Sequence, residues 1–401
     1  MHKTTIGILR EGKIPVDYRV PFTPAQVEQI ENEFDINVTC QESELRCYND
    51  EEYKRIGLYK DLHDCEVLMG VKEVPIENLI PNKTYFFFSH TTKEQPYNRG
   101  LLKAILDNNI TLIDYECLTD EAGMRVVAFG RYAGIVGAYN GIKTYGERFG
   151  LFDLRPAHQC FDLEDMHTEF AKIKLPAIKI IVTGSGRVAK AAMEVLEKIG
   201  IQKVNSEQYL NEQFDGPVYC RLSSADYHFP LNGQQFDIKE FHQHGEKFGS
   251  NFYRFTPHTD LLIAGAFWNP SSPVLFTKEE MQSHDFRIKV IADITCDIEG
   301  SMPSTIRSST IDEPVYDYDP ATGMEREAYS STKHVTVMAV DNLPCELPRN
   351  ASEDFGAELV KYIIPSLVDG DSMGILGRAT ITKKGKLTPK YAYLQNYVDG
   401  Q

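Results

Sequence analysis

The sequence predicts an α/β protein built from two doubly wound, mostly parallel sheets with helices on both faces. Three observations predict it. Over residues 1 to about 130, short apolar runs of strand length alternate with helical stretches, the pattern of a parallel sheet. A second strand–turn–helix unit opens at Ile178 on a glycine-rich turn. The 401 residues, 42% hydrophobic and 25% charged, suffice for two or three domains of ordinary globular composition.

In chain order, Ile6–Arg10 reads as the first strand. It runs into a polar loop holding Glu11, Lys13, Asp17 and Arg19, then into TPAQVEQIENEF. Thr23 caps that helix and Pro24 takes its first position. Charges just past a strand's C-terminal end are either solvated surface or part of a site, and both readings stand here. Asn37–Cys40, Val67–Val71 and Tyr85–Phe88 continue the strands. The helix Asn98–Asn108 follows, then the strand Ile110–Tyr115, with Asp114 and Glu116 at its end. Beyond Arg125, the stretch RYAGIVGAYNGIKTYGERFG reads as a connecting helix whose Gly134, Gly137 and Gly141 permit close packing. Asp260–Ala264 and Lys289–Ile294 are apolar strands opening into the polar loops GAFWNP and TCDIEGS. Asp293 at the end of the second of these strands and Asp297 in the loop after it either cap a turn or serve a site. His334–Val340 is a further strand, helical patterning resumes at Ser352–Ile364, and TITKKGKLT reads as a hairpin.

The stretch EVLMGVKEVPIENLIPNKTYFFFSHTTK is the first place to look for chemistry. Its two apolar runs stop at or near the titratable side chains Lys72 and His90. The link between them holds Pro75, Pro81 and one helical turn, enough for a parallel crossover. If the two runs are parallel neighbours, Lys72 and His90 emerge at one edge of the sheet, where ligands bind in open α/β sheets. The competing reading is a surface lysine and a capping histidine.

The second motif is IKIIVTGSGRVAKAAMEVLEKIG, a strand, a tight turn and a helix. Gly184-Ser185-Gly186-Arg187-Val188-Ala189 is a GxGxxA fingerprint in the context that makes it meaningful. Gly184 permits the turn, Gly186 lets the backbone approach a pyrophosphate, and Ala189 keeps the helix near the sheet. The helix N-terminus adds N–H donors for the phosphates. A carboxylate for the ribose hydroxyls is expected about 20 residues on. Asn205, Ser206 and Glu207 stand there, with Glu207 slightly late and no arginine beside them. This favours NAD and leaves NADP open.

Composition excludes several classes. A formal net charge of −16 argues against nucleic acid and anionic membranes as partners. No run of about 20 apolar residues is present to span a bilayer. MHKTTIGILREGK is too short and too soon charged for a signal peptide, so a cytoplasmic protein is expected. The eight cysteines show no CxxC and no metal-finger spacing, which points to reduced, mostly buried thiols and no metal site.

The set GVKEVP, FFFSHTTK, LIDYE, MRVVAFGRYAG, ADITCDIEGS and VDNLPCELP resembles lysine-forming saccharopine dehydrogenases and the lysine–ketoglutarate reductase region of their bifunctional relatives. More distantly, the EGK…YRVPFTP start and the GKLT tail look like alanine dehydrogenase and the transhydrogenase nucleotide-binding subunit. The resemblance runs from Ile6 to about Ile364, and the chain stops before the glutamate-forming region of the bifunctional relatives. It implies a two-domain enzyme with two Rossmann-like domains and a cleft between them. Residues 1–133 and 334–401 would form the substrate domain, and 134–333 the dinucleotide-binding domain. The substrate would be a small amino acid or keto acid, and the oligomeric state is not set. By similarity, Lys72 and His90 match the family's catalytic acid–base pair. Arg19 matches a substrate-binding arginine, with Lys93, Glu116 and Arg125 in motifs that line the same site. Asp297 matches an acid near the nicotinamide end, and Ser185, Arg187 and Val188 fall with Gly184 and Gly186 in the cofactor turn. Alanine dehydrogenase, acting on one small amino acid, is the alternative implied by the same architecture. A dinucleotide-binding protein without catalysis is the alternative from a different class.

Overall fold

The computed structural model describes residues 3–400. The chain divides into two compact units. One is built from the residues up to Phe129 together with those from Pro348 onward, and the other is Gly130–Leu347.

In the first unit, six strands lie parallel: β1 (Thr4–Ile8), β2 (Ile36–Gln41), β3 (Leu58–Tyr59), β4 (Val67–Met69), β5 (Thr84–Phe87) and β6 (Thr111–Asp114). Their order in space is β6-β5-β4-β1-β2-β3. A late hairpin, Thr380–Lys383 and Lys386–Leu387, extends the sheet by pairing antiparallel with β6. Helix α1 (Pro24–Glu33) starts on a capping box, with Thr23 and Gln26 satisfying each other's backbone N–H groups. Helix α2 is Arg99–Asp107. Because strand side chains alternate, Val67, Met69, Phe86 and Phe88 enter one core with Val27, Ile30 and Phe355. Leu68, Tyr85 and Phe87 enter the other, with Leu101, Leu102, Ile105 and Ile381.

The second unit begins with α3 (Gly130–Arg148). Its sheet contains β7 (Lys179–Thr183), β8 (Gln202–Val204), β9 (Val218–Leu222), β12 (Leu261–Ala264), β13 (Val290–Asp293), β14 (Val315–Asp319), β15 (Met324–Arg326) and β16 (Val335–Met338). A separate two-stranded ribbon, β10 (His228–Pro230) and β11 (Phe248–Ser250), lies between β9 and β12 in sequence. The order is β15-β14-β16-β13-β12-β7-β9-β8, parallel except at β14 and β15. Three glycines let α3 approach its neighbours. An added Cβ would fall 2.1 Å from the Val188 carbonyl oxygen at Gly134, 2.4 Å from Ile294 at Gly137 and 2.9 Å from Ala292 at Gly141.

The boundary expected at 333/334 lies later, at Leu347/Pro348. The reason is that β16 pairs in register with β13, so the stretch after His334 completes the second sheet before the chain returns to the first. All eight cysteines are free thiols. Among the described residues no helix is long and apolar enough to cross a membrane, and no group of His, Cys, Asp or Glu is arranged to hold a metal ion.

Candidate active site

β4 and β5 are parallel neighbours, with Leu68 opposite Tyr85 and Met69 opposite Phe86. The ladder continues past their formal ends, where the Phe88 N–H donates to the Val71 carbonyl at 2.9 Å. Lys72 and His90 therefore leave the sheet from adjoining strands at its C-terminal edge, as their spacing predicts. His90 adopts a left-handed conformation, φ 52° and ψ 15°, uncommon for a residue with a Cβ though histidine adopts it more readily than most. The preceding residue is held in place. Buried Asp114 accepts from both the backbone N–H and the hydroxyl of Ser89, and from the Glu116 N–H at 2.7 Å.

The imidazole of His90 meets Glu73, with Nδ1 2.7 Å from Oε1. The other oxygen of Glu73 accepts from the Lys13 ammonium at 2.7 Å. Burial pushes the Glu73 carboxyl up, but the hydrogen bonds from His90 and Lys13 outweigh it and hold it at about 2. A permanent carboxylate at Nδ1 selects the tautomer protonated there and leaves Nε2 to exchange protons. Glu73 is not among the sequence-predicted site residues, and Lys13 enters only as one charge of the polar loop after β1. The available signal was the placement of Glu73 directly after Lys72 at a strand end, with Lys13 in the polar loop after β1.

The cations fall into two groups. Arg19 is buried and grips Asp17 with both arms of its fork, Nε to Oδ1 at 3.0 Å and Nη2 to Oδ2 at 2.6 Å, while stacking 4.1 Å over the Phe129 ring. Burial pushes Asp17 up, but Arg19, helped by the Lys72 charge, holds it down at about 2. Lys72 therefore lies within electrostatic reach of that pair. The other group is centred on Glu116, whose Oε1 is 3.3 Å from Lys93 Nζ and 3.9 Å from Arg125 Nη1. Its Oε2 is buried without a hydrogen-bond partner among the described residues. Lys93, Glu116 and Arg125 are thus brought together, with both cations partly exposed.

In the second unit, β7 runs through the glycine turn into α4 (Arg187–Ile199). Gly184 has φ +107°, and a Cβ there would press within 3.0 Å of the Gly265 carbonyl oxygen. Gly186 caps the helix in extended backbone, and a Cβ there would meet nothing within 4 Å. No packing or backbone requirement makes residue 186 a glycine. The open space over the N–H groups of a 13-residue helix fits a pyrophosphate. Ser185, Arg187 and Val188 surround that space in sequence. Asp297 is exposed in the loop after β13, and the Gly300 N–H closes a turn on its carbonyl at 2.9 Å.

The ribose-binding acid is where the expectation fails. The strand beside β7 is β9, paired from Lys179↔Val218 to Thr183↔Leu222, whereas β8 lies one strand further out at the edge. Asn205 caps α5 (Ser206–Asn211) and Glu207 sits in that helix's first turn, displaced from the cofactor edge by the width of β9. The groups that end β9 are Arg221, Ser223 and Asp226, and the last is committed to the Ser223 N–H and hydroxyl, both at 2.6 Å. Tyr219 donates to Glu197 of α4. Arg221, two residues on, therefore shares the α4 face.

Two mostly parallel sheets, the second opening on a dinucleotide-type turn and the first completed by a returning chain, define the alanine dehydrogenase/transhydrogenase fold. The chain matches the structure of an L-alanine dehydrogenase with TM-score 0.66 over 99% of each chain at 15% identity. It matches the transhydrogenase from Sinorhizobium meliloti with TM-score 0.57 over 96% of this chain and 98% of that one, also at 15% identity. Residues 7–136 match the family model described as alanine dehydrogenase/PNT, N-terminal domain. In sequence, the chain is 29% identical to the mitochondrial alpha-aminoadipic semialdehyde synthase of Bos taurus, over 98% of this chain and 48% of that protein. The Arabidopsis thaliana alpha-aminoadipic semialdehyde synthase is 27% identical, over 97% and 41%. The saccharopine dehydrogenase [NAD(+), L-lysine-forming] of Schizosaccharomyces pombe is 25% identical, over 92% and 95%. The chain is thus a homologue of the alpha-aminoadipic semialdehyde synthases and of the lysine-forming saccharopine dehydrogenases, and it spans about half the length of the former.

Proposed function

We propose that this protein is a nicotinamide-dependent oxidoreductase of lysine metabolism that interconverts saccharopine with L-lysine and 2-oxoglutarate. The observation that carries the reading is the Lys13–Glu73–His90 chain at the strand edge that also launches Lys72. Saccharopine joins the lysine side-chain nitrogen to the α-carbon of a glutamate skeleton. Its oxidation leaves an imine, which water attacks. Lys72, close to the Arg19–Asp17 pair, takes the proton from the secondary amine. His90, oriented by Glu73, moves protons through carbinolamine formation and collapse. Lys93 and Arg125 bind substrate carboxylates, with Glu116 setting their positions. Arg19 adds a third carboxylate site by exchanging Asp17 for substrate. Residues 184–188 would hold the pyrophosphate of a nicotinamide dinucleotide, which would supply the hydride chemistry, and Asp297 would serve its nicotinamide end.

The cofactor choice turns on β9. With Glu207 displaced to the outer helix, the basis for NAD over NADP is lost, and Arg221 beside Ser223 favours a 2′-phosphate. The alanine dehydrogenase alternative is supported by a likeness of 15% identity, which carries the fold alone. The cation group around Glu116 favours a substrate with several carboxylates. The test is nicotinamide oxidation with lysine and 2-oxoglutarate, supplied together and singly, with NADH and with NADPH. Turnover requiring both substrates is the expected result. Turnover with pyruvate and ammonia, and none with lysine, would reassign the protein.

A further inference from the structure

The scheme above gives no role to Glu11. Glu11 lies just beyond the end of β1, and its two oxygens face successive backbone donors at the end of β4. The Val71 N–H donates to Oε1 at 2.6 Å and the Lys72 N–H donates to Oε2 at 2.9 Å. These N–H groups have run off the ladder, since the β1–β4 pairing ends at Ile8↔Met69 and its last bond is Leu9 N–H to the Met69 carbonyl. On the opposite side the Val71 carbonyl is held by Phe88 of the β5 extension. Glu11 thus stands in for the missing strand on the β1 side. Gly70 leaves it room, because a Cβ at that position would come within 3.3 Å of Oε1.

We propose that Glu11 is a positioning residue for Lys72, its carboxylate fixing the backbone from which that ammonium projects and so the direction in which it exchanges protons. A side chain that only filled space would not need both oxygens on consecutive N–H groups. The inference rests on the reading of Lys72 as a proton-transfer group. The electrostatics support a coupling between the two. Burial, then the charge of Asp17, push Glu11 up to about 8, while the Val71 and Lys72 N–H groups and Arg19 pull it down. The remaining titratable neighbours are the neutral phenol of Tyr115 and the charged Arg10, Glu42, Glu44 and Asp50, which line with Glu11 a cavity of about 440 Å³. A proton on Glu11 turns one acceptor into a donor facing a donor, so the two-oxygen grip on Lys72 is complete only above about pH 8 and loosens as pH falls through that value.

The test uses Glu11→Gln, which places an amide N–H against a backbone N–H, and Glu11→Asp, which keeps the charge but is one methylene short. If Glu11 positions Lys72, Glu11→Gln lowers saccharopine turnover by about tenfold to hundredfold above pH 8, where the carboxyl is ionised, and by less below it, with dinucleotide affinity unchanged and a shift in the pH–rate limb that Lys72→Met abolishes. Glu11→Asp recovers part of the rate. The double variant Glu11→Gln/Lys72→Met is no slower than Lys72→Met alone. Wild-type turnover and pH profile in Glu11→Gln, or defects that multiply in the double variant, overturn the proposal. A second readout stands apart from catalysis: the rate at which acetic anhydride acylates Lys72, followed by mass spectrometry across pH. It shifts in Glu11→Gln if the positioning holds, and an unchanged profile overturns it. If Lys72→Met turns over normally while the acylation profile shifts, the positioning stands and the assignment of Lys72 as the base falls.

Discussion

Replacing Glu73 with glutamine preserves the side chain's size and removes the charge that His90 and Lys13 share. In the folded protein burial raises the Glu73 carboxyl, and the His90 and Lys13 hydrogen bonds more than offset it, holding it at about 2 against an ordinary 4.5. That difference corresponds to ~3 kcal/mol of folded-state preference for the carboxylate. At 9% side-chain exposure, little of it is screened by solvent. Because the folded value lies below the unfolded one, this stabilisation is complete above about pH 4.5 and is lost as pH falls toward 2. Glu73→Gln should therefore lower the unfolding free energy by ~3 kcal/mol at pH 7 and by less than about half of that at pH 3. Urea titrations of both proteins at the two pH values, followed by far-ultraviolet circular dichroism, measure the difference. Turnover should fall about tenfold to hundredfold as the imidazole loses the partner that fixes its tautomer. An equal loss of stability at pH 7 and pH 3 would refute the electrostatic account and leave only a packing role for Glu73.

Lys72→Met and His90→Gln should each reduce turnover by about 10²–10⁴-fold with fold and dinucleotide affinity intact. Their double variant should fall well short of the product, since both serve one proton path; near-normal rates in both single variants, with unaltered pH profiles, exclude the pair. Gly186→Val should weaken dinucleotide binding measured by calorimetry without changing the melting temperature, because its side chain enters space that no protein atom occupies. Arg221→Ala should reduce NADPH affinity more than NADH affinity, and an unchanged ratio would remove the 2′-phosphate reading.

Much of this was legible because local rules were sufficient. The apolar runs before Lys72 and His90 form neighbouring parallel strands, and Thr23-Pro24 starts its helix as its chemistry dictates. Gly134, Gly137 and Gly141 mark close approaches because no other residue fits there. What the sequence concealed depends on long-range placement. Glu73 and Lys13 meet across 60 positions, and no local pattern announces the partner. Glu207 was the misleading candidate: counting residues past a glycine turn assumes that the next strand in sequence is the next in space. Here Gln202–Val204 is an edge strand of three residues, and Val218–Leu222 takes the position beside β7.

The discontinuity of the first unit bears on how the chain emerges from the ribosome. β6 ends at Asp114, and the hairpin strand that covers its outer side begins at Thr380. At ordinary elongation rates these are separated by about 15–50 s of synthesis. Throughout that interval the second unit, contiguous from Gly130 to Leu347, is free to fold, while β6 presents open backbone donors and acceptors beside the apolar Leu112 and Ile113. Such an edge is a template for pairing with another nascent chain. The role of Thr380–Lys383 is thus protective as well as architectural, and the nascent protein is most vulnerable to aggregation after β6 has been made and before that late strand arrives.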